Sequence, residues 1–337
     1  MASRKLTIAT LGSHSALQIL KGAKEEGFKT LLVTTNDRAD FYKRFKFIDK
    51  IQKIKSFSEF PEIDKKLAKE NTIIIPHGSF VAYLGVEGNK KIKTPYFGNK
   101  KVLEWEGNRR MQLTWIKEAN LNLPHKFRRG DVIDRPVIVK FFGAQGGNGY
   151  FVAHDQKDFK KKIVPFLDRE FVVQEYVIGV PIYLHFFYSP ITKDVELLSI
   201  DRRYETNVDS LGRMPLAHQE KISIAPSFVV VGNSPLSLRE SLMPEAYQMA
   251  ERLVATSRKL VDKRGLFGPF CLETIVTPDQ KFFIIEISCR IVAGTNLFID
   301  GSPYASLYYD EPMSTGRRIA REIKIAKRKN KLNLILD

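Results

Sequence analysis

Cysteine is nearly absent from this chain: there are two in 337 residues, Cys271 and Cys289, and no CxxC pair. With no zinc spacing either, both thiols read as small buried packing groups in a protein of a reducing cytoplasm. Long apolar runs are missing too, and none approaches the ~20 residues that span a membrane. The opening Met1–Thr10 reads as a first β-strand rather than a signal peptide, because Gly12-Ser-His14 ends its apolar stretch at once. Acidic residues are in short supply. Against 54 Lys+Arg there are 38 Asp+Glu, a net charge of +16 that asks for an anionic partner. Nucleic acid is one class of such partner, but no RNA-binding aromatic signature or helix-turn-helix accompanies the charge, so nucleic acid is not expected. Nucleotides and phosphosugars are the other class. There is no internal repeat, low-complexity tract or long linker.

What is present is a globular composition, 43% hydrophobic and 27% charged, over a length that implies two or three packed domains. Early in the chain, strand and helix signals alternate. Leu6–Thr10 is followed by an amphipathic Ser15–Glu26 closed by Gly27, then by Thr30–Thr34 and Asn71–Pro76. Such βαβ units build a parallel sheet, and ligands of such sheets sit at the carboxyl ends of the strands. Gly12-Ser-His-Ser15 and His77-Gly-Ser79 fall at those ends. After a connector over Lys90–Gly98 comes a helix over Asn108–Ala119. Strands follow at Phe171–Val177, Ile182–Tyr188, Val195–Ile200, Phe270–Val276 and Phe282–Ile287, with a long helix over Pro244–Lys263. The basic stretch Arg317–Lys331 carries Ile319, Ile323 and Ala326 at helical spacing, which reads as an amphipathic helix with a solvated basic face.

Three stretches carry chemistry. Lys140 lies inside an apolar, strand-like run that starts at Val137, and four glycines, Gly143, Gly146, Gly147 and Gly149, follow it. Each glycine costs about 0.5–1 kcal/mol in a regular element, so a cluster points to a backbone that drapes over phosphate oxygens beside an ammonium. The spacing fits neither the P-loop nor the dinucleotide fingerprint, and the loop runs from strand to strand like a flap. An ordinary glycine-rich hairpin is the plainer alternative. Next, the strand ending in Gln174-Glu-Tyr-Val177 offers alternating backbone donors and acceptors to a base, with the Glu175 carboxylate as a further acceptor. Last, Glu273 and Glu286 sit in apolar strands about ten residues apart, where paired carboxylates repel unless a divalent cation such as Mg²⁺ or Mn²⁺ lies between them. Two outward-facing solvated glutamates are the plainer alternative here.

In this order, the elements resemble the ATP-grasp superfamily over roughly residues 100–300. Longer stretches, among them Ala9–Leu20, Pro76–Tyr83, Asp201–Asn207, Arg290–Asn296 and Gly301–Ile323, resemble the archaeal formate-dependent AICAR-formylating synthetases nearly end to end. The resemblance implies an α/β architecture, an ATP-grasp fold preceded by an N-terminal doubly wound parallel α/β domain, divided at 1–98, 99–180 and 181–337. It implies ATP- and formate-dependent formylation of AICAR to FAICAR through formyl phosphate, in a cytoplasmic homo-oligomer, a trimer or hexamer. By position it gives His14, Ser79 and Asn233 to AICAR. Lys140, the Gly143–Gly149 loop, Gln174, Glu175, Tyr176, Val177 and Glu205 go to ATP, Glu273 and Glu286 to Mg²⁺, and Arg290 with Lys140 to catalysis. Two departures stand out. Ser288 replaces the asparagine usual in the superfamily's E-x-N-x-R metal motif, and Gln145 and Asn148 stand where the family's flap often carries lysines. A ligase joining another small carboxylate to another amine, and a non-catalytic nucleotide- or RNA-binding module, are the competing readings. The flap reading predicts that Gly146→Val raises the KM for ATP at least several-fold while AICAR binding is unchanged; unaltered ATP kinetics would leave a plain hairpin.

Overall fold

A computed structural model describes residues 5–128, 130–141, 150–219 and 229–337. The expected flap, with Gly143, Gly146, Gly147, Gly149, Gln145 and Asn148, lies outside the described residues. Four short apolar runs, β1 (Thr7–Leu11), β2 (Lys29–Thr35), β3 (Lys50–Ile54) and β4 (Thr72–Ile74), form a wholly parallel sheet in the order β3-β2-β1-β4. Gly27, at φ +88, ends the helix Ala16–Glu25 and turns the chain into β2. The strand order reverses between β1 and β4, and that is where a parallel sheet opens a crevice.

A second sheet, β5 (Lys126–Phe127), β6 (Val137–Phe141), β7 (Tyr150–Ala153) and β8 (Phe171–Glu175), is antiparallel in the order β5-β8-β6-β7 and closes a small core of its own around Val137, Val139, Phe141 and Val173. The third sheet is built from β9 (Val180–Tyr188), β10 (Val195–Glu205), β11 (Val230–Pro235), β12 (Gly268–Val276) and β13 (Phe282–Ser288), in the order β11-β10-β9-β12-β13. One of its faces is apolar. Cross-strand neighbours Leu184, Leu272 and Ile287 enter the same core as Met249 and Leu253 of the helix Met243–Leu260, and Ile8, Leu11 and Ile19 of the first sheet's layer belong to it as well. The strands expected after residue 170 are all present, with β10 running beyond Ile200 to Glu205.

The basic helix needs correction. It forms over Thr315–Arg328 with Ile319, Ile323 and Ala326 inward, but much of its charge is not a solvated face. Arg318 is buried: its guanidinium donates to Glu196 at 2.8 and 2.9 Å and to Glu322 at 2.8 Å, over the Phe187 ring. Arg317, Arg321 and Lys324 converge on the buried Glu26, at the end of helix Ala16–Glu25. Burial alone would raise the Glu26 carboxyl, but hydrogen bonds from Arg321, Arg317 and Lys324 outweigh it and hold the pKa at about 2. The charges that looked like an outer face are the glue between two layers.

Those two helices touch backbone to backbone. A Cβ on Gly22 would lie 2.3 Å from Arg317 N, and one on Gly316 would lie 2.4 Å from Gln18 O. Gly22→Ala gains about 1 kcal/mol of helix propensity, but overpacking against immobile backbone costs about 3 kcal/mol. A net loss of about 2 kcal/mol is expected in urea unfolding, and a variant as stable as the parent would show that the helices can separate freely.

Candidate functional site

At the reversal point of the parallel sheet the two strand-end clusters meet. Ser79 Oγ donates to Ser13 Oγ at 3.0 Å, and Tyr83 OH, itself held by Arg38 at 2.9 Å, donates to the same oxygen at 2.9 Å. His77 is fully buried; its Nδ1 accepts from Ser79 N–H at 3.2 Å, so its Nε2–H donates to Leu11 O at 2.9 Å. Burial lowers its pKa to about 3, and it stays neutral. The His14 ring stacks on that of His77, centroids 6.0 Å apart and 8° from parallel, on a backbone at φ +49. His14 opens to solvent on one side. Desolvation on the other, then Arg290 and Arg203, bring its pKa to about 4, so it offers a neutral imidazole rather than a cation. Beside it the Ser15 hydroxyl is buried with no partner among the described residues.

The polar face of the third sheet carries a band set by strand register. Asn233 lies opposite Arg203, and Asp201 opposite Tyr183, which faces Glu273, which in turn faces Glu286. Directly opposed residues of antiparallel strands share a face, with Cβ atoms about 4.5–5.5 Å apart. Arg203 holds both oxygens of Glu273, at 2.9 and 3.0 Å, and its guanidinium lies 3.7 Å from the Tyr183 ring centroid. Ser288 Oγ adds a long contact to Glu273 at 3.5 Å. The Glu286 carboxyl is pushed up to about 7, by burial first and then by Glu273 and Glu106 against the pull of Arg109 and Arg290. Glu205, at the end of β10, is likewise raised to about 7 by burial and by Asp209.

Arg290 joins the two regions. Its NH2 pairs with Glu106 at 3.0 Å, and the other Glu106 oxygen accepts from Cys289 N–H at 2.7 Å. Its NH1 stands 3.1 Å from where a Cβ on Gly78 would sit, a point also 3.3 Å from His14 Cε1. Any side chain at 78 would crowd that guanidinium.

On the small sheet, Lys140 donates to Gln174 Oε1 at 3.3 Å. Desolvation and then Arg109 lower its pKa to about 8, with Glu286 pulling the other way. The Gln174–Val177 edge is partly committed. Glu175 N–H donates to His125 O at 2.7 Å and Tyr176 N–H to Pro136 O at 2.9 Å. The Glu175 carboxylate accepts from His125 N–H at 3.0 Å and lies 3.8 Å from Arg135. The Glu175 carboxylate expected to accept from a base thus already holds one N–H and keeps further acceptor capacity, and among the described residues the Val177 N–H is the backbone donor left. Residues that sequence reasoning left without a role include Arg203, Glu106, His77, Arg109 and the buried pair His185–Asp201. Arg203 had a signal, since the alternation Asp201–Arg203–Glu205 puts three ionisable groups on one strand face.

The described residues hold no cluster of three or more His, Cys, Asp or Glu side chains, so a metal here rests on two carboxylates. An all-oxygen pair, one member raised in pKa by burial and then by its neighbour, suits Mg²⁺, which completes its shell with water and phosphate oxygens. Glu286 is the readier ligand, because Arg203 already occupies Glu273. A broad cavity of about 780 Å³, lined by Tyr188, Glu196, Arg258 and Tyr308 among others, contains none of these residues. No helix among the described residues is long and apolar enough to cross a membrane.

The chain is similar to known proteins over nearly its whole length. Residues 153–337 match a family model described as "Domain of unknown function (DUF1297)", and residues 8–127 one described as "Protein of unknown function (DUF1246)". A 5-formaminoimidazole-4-carboxamide-1-(beta)-D-ribofuranosyl 5'-monophosphate synthetase of Saccharolobus solfataricus is 49% identical over 339 residues, covering 98% of this chain and all of that one. The crystal structure of an IMP biosynthesis protein PurP from Thermococcus kodakaraensis superposes with a TM-score of 0.80 at 33% identity, over 98% of this chain and 100% of that one. An ADP complex of purK, an N5-carboxyaminoimidazole ribonucleotide synthetase, shares the fold at TM-score 0.65 and 14% identity, over 94% and 76% of the two chains.

The carboxylate pair has a measurable signature in the metal-free protein. An acid whose folded pKa is raised binds more protons folded than unfolded, so it loses stability as pH rises from about 4.5 to about 7. Glu286→Gln removes that penalty. The variant should match wild type near pH 4 and exceed it by on the order of 1–3 kcal/mol at pH 8 in denaturant melts. A variant less stable at pH 8 than at pH 4, relative to wild type, would show that Glu286 is a structural anion.

Proposed function

Because this chain belongs to the family of 5-formaminoimidazole-4-carboxamide ribonucleotide synthetases, we propose that it formylates the 5-amino group of AICAR, giving FAICAR with formate and ATP as co-substrates. It is an ATP-dependent carbon–nitrogen ligase of purine biosynthesis with an ATP-grasp fold. The observation that carries the fuller reading is Arg290, wedged between Glu106 and Gly78. One guanidinium there pairs with Glu106, acts electrostatically on Glu286 of the charged band, and reaches the strand-end crevice that holds His14.

In the chemistry we infer, a formate oxygen attacks the γ-phosphorus of ATP, the bond to the β-phosphate bridge breaks and ADP leaves. The formyl phosphate is then attacked at carbon by the 5-amino nitrogen. The C–O bond breaks, phosphate departs and the amine gives its proton to water or phosphate. No side chain need form a covalent bond, and the enzyme's work is positioning and charge stabilisation. Lys140 and the Val177 N–H serve ATP, with Glu205 beside them, and Arg290 meets the negative charge that builds on the transferring groups. His14, Ser79 and Asn233 hold AICAR, with the N–H groups around Ser15 suited to its phosphate. Glu286 and Glu273 are the residues that would hold Mg²⁺ or Mn²⁺, which supplies charge neutralisation at the phosphates. We take the working protein to be a cytoplasmic homo-oligomer, organised as 1–98, 99–180 and 181–337. Gln145 and Asn148 favour a second reading, in which the same machinery joins another small carboxylate to another amine.

An ADP-release assay separates them. ADP release that requires formate and AICAR together is expected, and His14→Ala should raise the AICAR requirement at least ten-fold without changing the KM for ATP. ADP release with other acid–amine pairs, and none with formate plus AICAR, would overturn the substrate assignment.

A further inference from the structure

Asp201 is completely buried, in the middle strand of the half-sheet β11-β10-β9, and both of its oxygens are used. Oδ1 accepts from Nε2 of the buried His185 at 2.5 Å, and Oδ2 accepts from Asn233 Nδ2 at 2.6 Å. The Gly294 backbone closes over the carboxylate, since a Cβ there would lie 2.4 Å from Oδ1. No room is left for the acid to turn. A carboxylate accepts hydrogen bonds and cannot donate, so the end of Asn233 that faces it must be the NH₂. The Asn233 carbonyl oxygen therefore points away from Asp201, and no donor among the described residues meets it. Across the strand pair Asn233 lies opposite Arg203, on the sheet face that carries Glu273 and Glu286. Gly294 leads directly to Asn296, whose Nδ2 donates to the His14 carbonyl at 3.2 Å, so this end of the band adjoins the His14 crevice.

We propose that Asp201, held by His185, is a positioning residue that fixes the polarity of Asn233, so that the site presents an acceptor and selects an N–H donor on the substrate. Resting on the AICAR reading above, the donor assigned is the 5-amino group, because Asn233 lies on the side of the crevice nearest the carboxylate band, where the acyl group forms. Holding one amine hydrogen turns the nitrogen lone pair to a fixed direction and distinguishes a nucleotide with this amine from one without it. A freely flipping asparagine would present NH₂ as often as oxygen and would discriminate little.

The test is calorimetric, without ATP: AICAR and its 5-deamino analogue, imidazole-4-carboxamide ribonucleotide, are titrated into wild type, Asp201→Asn, Asn233→Ala and the double variant. One neutral hydrogen bond supports a preference of about three- to ten-fold. Wild type should prefer AICAR by that factor. Asn233→Ala should lose the preference. Asp201→Asn should lose most of it, because a side-chain amide in place of the carboxylate can pair with either end of Asn233. The double variant should behave as Asn233→Ala. Full preference in Asp201→Asn, or losses that add in the double variant, overturns the positioning role. Equal loss of both nucleotides in Asn233→Ala overturns the 5-amino assignment. If Asp201→Asn fails to fold, wild type against Asn233→Ala still decides whether the asparagine reads the amine. If neither nucleotide binds wild type at millimolar concentration, the substrate reading itself falls, an outcome distinct from binding without discrimination.

Discussion

Two glutamates forced into register on one sheet face set the terms for everything around them. Glu273 and Glu286 are direct cross-strand partners, and two unit charges about 4 Å apart repel by roughly 4 kcal/mol at an effective dielectric of 20. The structure answers with cations from separate elements. Arg203 chelates Glu273 from β10, and Arg109 and Arg290 pull on Glu286 from a helix and from the segment after β13. The repulsion is reduced rather than removed. Burial acts in the same direction as what remains of it, and the Glu286 carboxyl still stands near 7. A pair kept under such tension is poor structural material and a good receptor for a divalent ion.

The same face explains why Arg203 matters twice. Its guanidinium fills the space beside Glu273 that a metal ion would compete for, and it stacks on Tyr183, so it has a second resting partner if Glu273 turns elsewhere. Arg318 is the contrast. Glu196 and Glu322 both take its donors, and Tyr309 and Ser189 donate to the same two carboxylates. That network is closed and buried, and breaking such a network costs several kcal/mol because a charge is left unpaired. One set of ion pairs binds layers together; the other is open on one side.

How far the sequence reveals this depends on whether the signal is local. The Glu273–Glu286 pairing was legible, because an acid in the middle of each apolar run, with a short turn between, leaves few registers that bury the flanking residues. The strand-end clusters at 12–15 and 77–79 were legible for a similar reason, from βαβ topology. Arg318 was not. On a helical wheel it counts as part of a basic face, and nothing near it announces that Glu196, 122 residues earlier, waits inside. Glu106 likewise reads as an ordinary helix residue until Arg290 arrives beside it. The commitment of the Glu175 side chain was hidden too, because its partner, the His125 N–H, belongs to a neighbouring segment with no distinguishing residue type. Charge pairing across long sequence separations is invisible to periodicity, which sees only which face a residue occupies.

The distribution of unsatisfied groups helps to separate scaffold from site. Buried polar atoms in folded proteins nearly always find partners, so those that do not call for an explanation. Among the described residues, Thr72 Oγ1, Gln112 Oε1, Ser199 Oγ and Arg321 Nε are buried without one; Ser199 lies directly across from His185, and the Gln112 amide donates to Glu106 O and Ile287 O beside the carboxylate pair. Ser15 Oγ, Thr34 Oγ1, His185 Nδ1 and Arg290 Nε lack one as well. Thr34 packs against Gly12, Ser15 follows His14, Arg290 lies against Gly78, and His185 backs Asp201. Ser15 and Arg290 flank His14 at the strand-end crevice, whereas the Arg318 carboxylate network lies at the other end of β10 from Arg203 and Glu205. A fold that closes its charged network where those layers meet, and leaves the Ser15 hydroxyl and the Arg290 Nε unpaired beside His14, keeps residual polarity where a polar, anionic substrate can complete it.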